Sequence, residues 1–153
     1  MIIPDINLLL YAYDSDSLFH ARAAAWWQKC LSGTEPVSLP AVVAFGFVRV
    51  ATSARAFQRP MSAAEAAACV RAWLEQPMAR ILEPGPDHVG QVLGLLEALG
   101  TAVNLVTDAQ IAALAIEQNA VLHTADADFQ RFPRLRWLNP LTGVASRRLC
   151  RKQ

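Results

Sequence analysis

The sequence predicts an α/β fold built on a small, mostly parallel sheet of four or five short strands. Three observations carry this expectation. Short apolar runs alternate with segments of helical periodicity along the chain. Several helical segments follow one another in the middle, which leaves few strands. The chain has 153 residues and 54% hydrophobic content, the size of one domain with a real core.

The elements follow in order. Residues 1–5 read as a short strand, and residues 7–13 as a short helix with Asn7 near its start. After the polar "DSDS", residues 18–32 have helical periodicity and stop at Gly33. "PVSLP" is a short extended piece, and Pro40 opens a helix running to about Ser53. In "RPMSAAEAAACVRAWLEQP", Ser62 is the N-cap and Glu65 stands three residues on, a capping box; Pro77 bounds the helix. "ARILEP" reads as a strand and residues 87–99 as an amphipathic helix. "NLVTDAQIAALAIEQN" is the next helix, with Thr107 or Asp108 at its start. "AVLHTAD" is a buried strand running into a turn, and "RLRWLNP" a final short strand. The spacing of Trp26, Trp27, Trp73 and Trp137 suits core or interface packing.

Composition narrows the function. Only 18% of residues are charged, so the surface is expected to carry apolar patches of the kind that meet a protein partner. The net charge of +1 is unevenly spread: all 13 acids lie in residues 1–128, while residues 129–153 hold Arg131, Arg134, Arg136, Arg147, Arg148, Arg151 and Lys152. A basic end on an acidic chain points to a polyanion, or else to a solvated tail. Cys30, Cys69 and Cys150 are too few and too scattered for a disulfide framework or a zinc site, so a reducing, cytoplasmic setting is expected, with the first two cysteines in the core. There is no basic leader and no uncharged apolar run of about 20 residues, so neither secretion nor a membrane span is expected.

Three places put an acid just after a strand or at the head of a helix: Asp5, Asp108, and the pair Asp126 and Asp128 in "HTADADF". Each has a plainer reading. Asp108 suits a helix cap and Asp126 or Asp128 an Asx turn. Asp5 stands between apolar segments, where an unpaired carboxylate is costly, although it too can cap a helix. In open α/β sheets, sites form at the carboxyl ends of strands where the strand order reverses, so the three loci can converge on one cleft. Carboxylates sharing a cleft repel unless a cation lies between them. Oxygen ligands without cysteine or clustered histidine select Mg²⁺ or Mn²⁺. Such an ion assists displacement at phosphorus, so the chemistry implied is hydrolysis of a phosphodiester.

Three stretches carry a family resemblance: "PDINLLLYAYD", "FVRVATSARAF" and "NLVTDAQIAALAIEQNAVLHTADADFQRFPRLRWLNP". They resemble the PIN-domain ribonucleases, and within them the VapC toxins of bacterial toxin–antitoxin pairs. The resemblance implies an α/β/α sandwich over residues 1–143, followed by a basic tail, residues 144–153. It implies that Asp5, Asp108 and Asp126, with Asp128 from the same turn, hold Mg²⁺ or Mn²⁺. It assigns Asn7 and Thr107 to orienting those ligands. It also implies an RNA substrate such as tRNA or ribosomal RNA, a VapB antitoxin as partner, and a homodimer. Leu18–Trp27 can supply part of the antitoxin groove or plain core. Arg49, Arg55 and Arg59 are the first candidates for holding the RNA backbone, with Arg131, Arg134 and Arg136 next.

One position departs from the family pattern. Many PIN nucleases carry a Glu in the third helix, and Gly46 stands in its place here; residues 36–64 hold no acid at all. The site is therefore expected to be one ligand short. That departure keeps a second reading open: a catalytically weakened PIN fold that binds RNA or protein. A third reading is a phosphotransfer domain of the haloacid-dehalogenase or receiver type. "DIN" lacks the second Asp of the former, and the only lysines, Lys29 and Lys152, suit neither.

Overall fold

A computed structural model describes residues 1–150; Arg151 and Lys152 of the basic tail lie outside the described residues. Five strands form one parallel sheet: β1 (Ile2–Pro4), β2 (Val37–Pro40), β3 (Ala79–Leu82), β4 (Val121–His123) and β5 (Trp137–Leu138). Their order is β3-β2-β1-β4-β5, and every named pair is parallel. β1, β2 and β4 are apolar nearly throughout because helices cover both faces of the sheet's middle. The helices are α1 (Ile6–Tyr13), α2 (His20–Ser32), α3 (Ala41–Ala51), α4 (Ala63–Leu74), α5 (His88–Leu99), α6 (Val106–Glu117) and the single turn α7 (Arg147–Cys150). The expected α/β/α layering and the five-strand limit are both present.

Local chemistry explains the boundaries. Ser62 Oγ accepts the Glu65 N–H while the Glu65 carboxylate accepts the Ser62 N–H, the reciprocal capping box expected from the sequence. Gly100 closes α5 in the left-handed region, φ 69°, where a glycine carries no side-chain penalty. The start of α6 differs from expectation. Neither Thr107 nor Asp108 caps it. A short 3-10 turn, Val103–Leu105, winds directly into the helix, so Asp108 falls at its third residue. The chain does not leave the fold at residue 143: Ala145 bridges to Leu138, and the Ser146 hydroxyl accepts the Trp137 N–H.

Aromatic packing fixes one helical layer. Trp73 Nε1 donates to the Tyr13 hydroxyl at 2.7 Å, and the Trp73 ring meets those of Trp27 and Phe47 edge-on, which joins α4 to α1, α2 and α3. Trp27 and Trp73 are core residues as expected, and so is Cys30; Cys69 is half-buried. Trp26 bridges α2 to the sheet by donating from Nε1 to His123 Nδ1 at 3.0 Å. His123 must stay neutral to accept that bond, and burial pushes its pKa down to about 4.

A pH signature follows. The unfolded chain protonates His123 near its ordinary value of 6.5, whereas the folded chain resists until about 4. This residue's contribution is therefore complete above about pH 6.5 and is lost as pH falls toward about 4, by about 3 kcal/mol at most. Urea unfolding of the protein and of His123→Gln across that window should show the stability difference shrinking toward acid.

Candidate metal-dependent nuclease site

The strand order reverses at β1. The chain moves from β1 to β2 on one side and later returns to place β4 on the other. The carboxyl ends of β1 and β4 therefore open side by side, the place where parallel sheets build sites. Asp5 follows β1 directly, and its backbone N–H donates to the His123 carbonyl at 2.9 Å. Thr124 and Asp126 follow β4.

Asp5 is 3% exposed. It sits at the N-cap position of α1 but makes no side-chain cap bond, so helix capping does not account for it. Its Oδ2 instead accepts a 2.8 Å hydrogen bond from the Thr124 hydroxyl, and Thr124 Oγ1 also accepts the Asp126 N–H at 2.9 Å. One threonine thus couples the two strand ends. Burial pushes the Asp5 carboxyl up to about 7; the Thr124 bond opposes that shift, and the charges of Asp108 and Asp126 reinforce it. Asp108 likewise rises to about 6, through burial first and then the charges of Asp126 and Asp128. Asp126 thus lies close enough to act on both Asp5 and Asp108.

Asp126 also makes the Asx turn suggested by its position: Oδ1 accepts the Asp128 N–H at 2.9 Å and opens a 3-10 turn, Ala127–Arg131. Its Oδ2 faces Asn7 Nδ2 at 3.4 Å, so Asn7 does reach the cluster. Thr107 is half-buried in the first turn of α6, and no side-chain hydrogen bond ties it to a carboxylate among the described residues. Asp128 is the outlying member, half-exposed and 3.8 Å from Arg131. Among the described residues, Asp5, Asp108 and Asp126 form no ion pair with a lysine or arginine.

This donor set suits a hard cation. It is all oxygen, partly buried, and without a cation of its own. Among the described residues no three His, Cys, Asp or Glu side chains gather tightly enough to enclose a metal. A fully enclosed carboxylate cage is thus absent among the described residues, and an ion there would have to keep part of its own water.

Gly46 is buried on α3, and a Cβ built there would collide with Ile6 Cδ1. Ile6 fills the space that a side chain at position 46 would enter. The missing acid is thus matched by a neighbour that closes the position. On the outer face of α3, Arg49 stands one turn from Phe45, which is 73% exposed. Arg55 is exposed, and Arg59 pairs with Asp16 at 3.1 Å across the α1–α2 loop. Thr124 is the site residue that sequence reasoning missed. The two-residue alternation in "LHTAD" was its signal, since it sets Leu122 and Thr124 on one face of β4.

Two outcomes follow. Asp5 gains protons on folding, so its carboxylate lowers stability as pH rises from about 4 to about 7. Without metal, Asp5→Asn should be more stable than the parent above about pH 7, by on the order of 2–4 kcal/mol, and equal to it near pH 4 in chelator-containing urea titrations. Gly46→Ala should cost about 1–3 kcal/mol by overpacking against Ile6, and the added change Ile6→Val should recover part of it in the same assay.

A PIN-domain family model matches residues 2–135. Ribonuclease VapC33 of Mycobacterium tuberculosis is 50% identical over 141 residues, which cover 92% of this chain and 99% of that protein. Two solved structures share the fold at 19% identity. The crystal structure of M. tuberculosis VapC20, described as a sarcin–ricin loop cleaving toxin, has a TM-score of 0.67 and covers 88% of this chain and 98% of its own. A VapBC2 complex from Rickettsia felis, bound to a promoter DNA fragment, has a TM-score of 0.64 and covers 90% and 97%. A fold match, a family-model match and half-identity across nearly the whole length converge: the chain belongs to the PIN-domain ribonucleases of the VapC family.

Proposed function

We propose that the protein is the toxin of a type II toxin–antitoxin pair, a Mg²⁺-dependent endoribonuclease, with Mn²⁺ as an alternative ion. The observation that carries this reading is Asp5: a buried carboxylate without a cationic partner, joined through Thr124 to Asp126 and coupled by charge to Asp108. Such a group is costly in an apolar fold unless a cation neutralises it.

Asp5, Asp108 and Asp126 would hold the ion, with Asp128 able to reach it through water. When bound, the ion would supply charge stabilisation at a scissile phosphate and a water of lowered pKa. Thr124 fixes the Asp5 carboxylate and the strand end that carries Asp126. Asn7 steadies Asp126 from the first turn of α1. Arg49 is the nearest candidate for meeting the RNA backbone, because it lies on the same helix as Gly46. Arg59, already paired with Asp16, has less to offer.

A VapB-type antitoxin is the partner this reading calls for, and the complex from R. felis supports it by fold. The α1–α2 region has surface for such a partner: Leu18 is 95% exposed and Phe19 40%. A homodimer, a cytoplasmic setting and structured RNA as substrate belong to the same reading. No helix among the described residues is long and apolar enough to cross a membrane, which is compatible with it.

The weakened-site reading rests on Gly46, where Ile6 occupies the space that an acid's side chain would enter. One assay separates the two. Total tRNA and ribosomal RNA are incubated with protein in Mg²⁺, in Mn²⁺ and in chelator. Discrete, metal-dependent fragments are expected from the parent. Asp5→Asn should remain folded by circular dichroism, leave the RNA intact and lose toxicity on induction. Intact RNA from the parent in both metals would leave the binding-module reading in place.

A further inference from the structure

Beside the carboxylates, two clefts open along the β5 end of the sheet. Ile3, Leu122 and Trp137 are register partners across β1, β4 and β5 and so share one face. Strand alternation sets Asp5, Thr124 and Asn139 on that face too, one row nearer the carboxyl ends. Trp137 and Asn139 thus extend the row of site residues toward the β5 edge. A cleft of about 230 Å³ lies there, with Asp126 and Thr124 at one end and Gln130, Trp137 and Asn139 along it. A second cleft of about 450 Å³ shares Gln130 and Trp137 with the first and continues to Arg134 and Arg147. The two make one track from the carboxylates to a pair of arginines.

The side chains on this track are available. Trp137 packs against the core, as its spacing suggested, and being half-buried it also lines both clefts. Gln130 is exposed, and no side-chain hydrogen bond engages it among the described residues. Asn139 Oδ1 accepts the Leu141 N–H at 2.9 Å, which leaves its amide N–H₂ to donate elsewhere. Arg134 and Arg147 are exposed, and neither forms an ion pair among the described residues. Arg136, by contrast, is committed to Asn119 at 2.7 and 3.1 Å, and Arg131 leans toward Asp128.

We infer that this track is a nucleotide-binding subsite for single-stranded RNA on one side of the scissile phosphate, with Trp137 stacking a base, Gln130 and Asn139 meeting base edges, and Arg134 and Arg147 holding the backbone. An aromatic face, side-chain amides and guanidinium groups in succession are the elements that hold unpaired RNA. The charge order agrees: the acids sit where a metal must bind, and the arginines stand away from them, where an uncompensated phosphate needs a cation. An acidic peptide would find the arginines but would meet the carboxylates at the other end. The inference rests on the ribonuclease reading and adds where the substrate lies.

The test uses the full chain carrying Asp5→Asn and a fluorescent single-stranded RNA of about twelve nucleotides, long enough to cover such a groove. Arg134→Gln with Arg147→Gln should weaken binding about 5- to 20-fold and reduce the salt dependence by about one to two phosphate contacts. Trp137→Leu should weaken binding about tenfold and abolish the part of the tryptophan quenching caused by RNA. In the active parent background the same changes should raise KM and leave kcat within about threefold, as loss of uniform binding requires. Gln130→Ala, at an exposed position, keeps the test decisive should Trp137→Leu fail to fold, and should weaken binding two- to fivefold by loss of one contact. Unchanged RNA affinity in the arginine pair and in Gln130→Ala would overturn the subsite, and so would loss of antitoxin binding with RNA binding intact. Metal-dependent cleavage by the parent alongside that result would show that the ribonuclease reading survives and only the track has failed.

Discussion

A single hydrogen bond, from the Thr124 hydroxyl to the buried Asp5 carboxylate, sits at the point on which the rest of the structure turns. It spans the place where a parallel sheet changes direction, between β1 and β4. The backbone bond from Asp5 to His123 ties the same two strand ends. Every acid of the site approaches that junction: Asp5 from β1, Asp126 from the turn after β4, and Asp108 from the head of α6. The carboxylate's raised pKa expresses the conflict between burial and charge, since burial and like charge both favour the protonated form.

The contact between Gly46 and Ile6 explains how the site is shaped on its other wall. With no side chain at position 46, α3 can lie close to the first turn of α1, and Ile6 fills the gap. An acid at that position would require the end of the Ile6 side chain to move.

The sheet is covered unevenly. Helices enclose β1 and β2 on both faces, whereas β5 is two residues long, ends the row of strands and is bridged on its outer side by Ala145. Clefts run from Asp126 along β5 to Arg134 and Arg147.

Local patterns in the sequence determined most of the elements. Ser62 and Glu65 announce α4, because a capping box needs only neighbours, and the alternation of apolar strands with helical periods implies a parallel sheet. Asp5 was conspicuous for the same reason: a charge inside an apolar run is costly wherever the run packs. The start of α6 was misread, because a 3-10 turn carries no capping signature and a cap was assumed at Thr107 or Asp108. Tertiary structure alone decided the rest. Thr124 meets Asp5 across 119 positions of chain, and nothing local foretells that bond. Ile6 and Gly46 are likewise distant in sequence and adjacent in space. Trp137 packs against the core as its spacing suggested, and only the sheet order placed it in β5, where it also lines a cleft. Local sequence sets which residues are helical, extended or capped. Which of them face one another depends on strand order and register, which no short stretch contains.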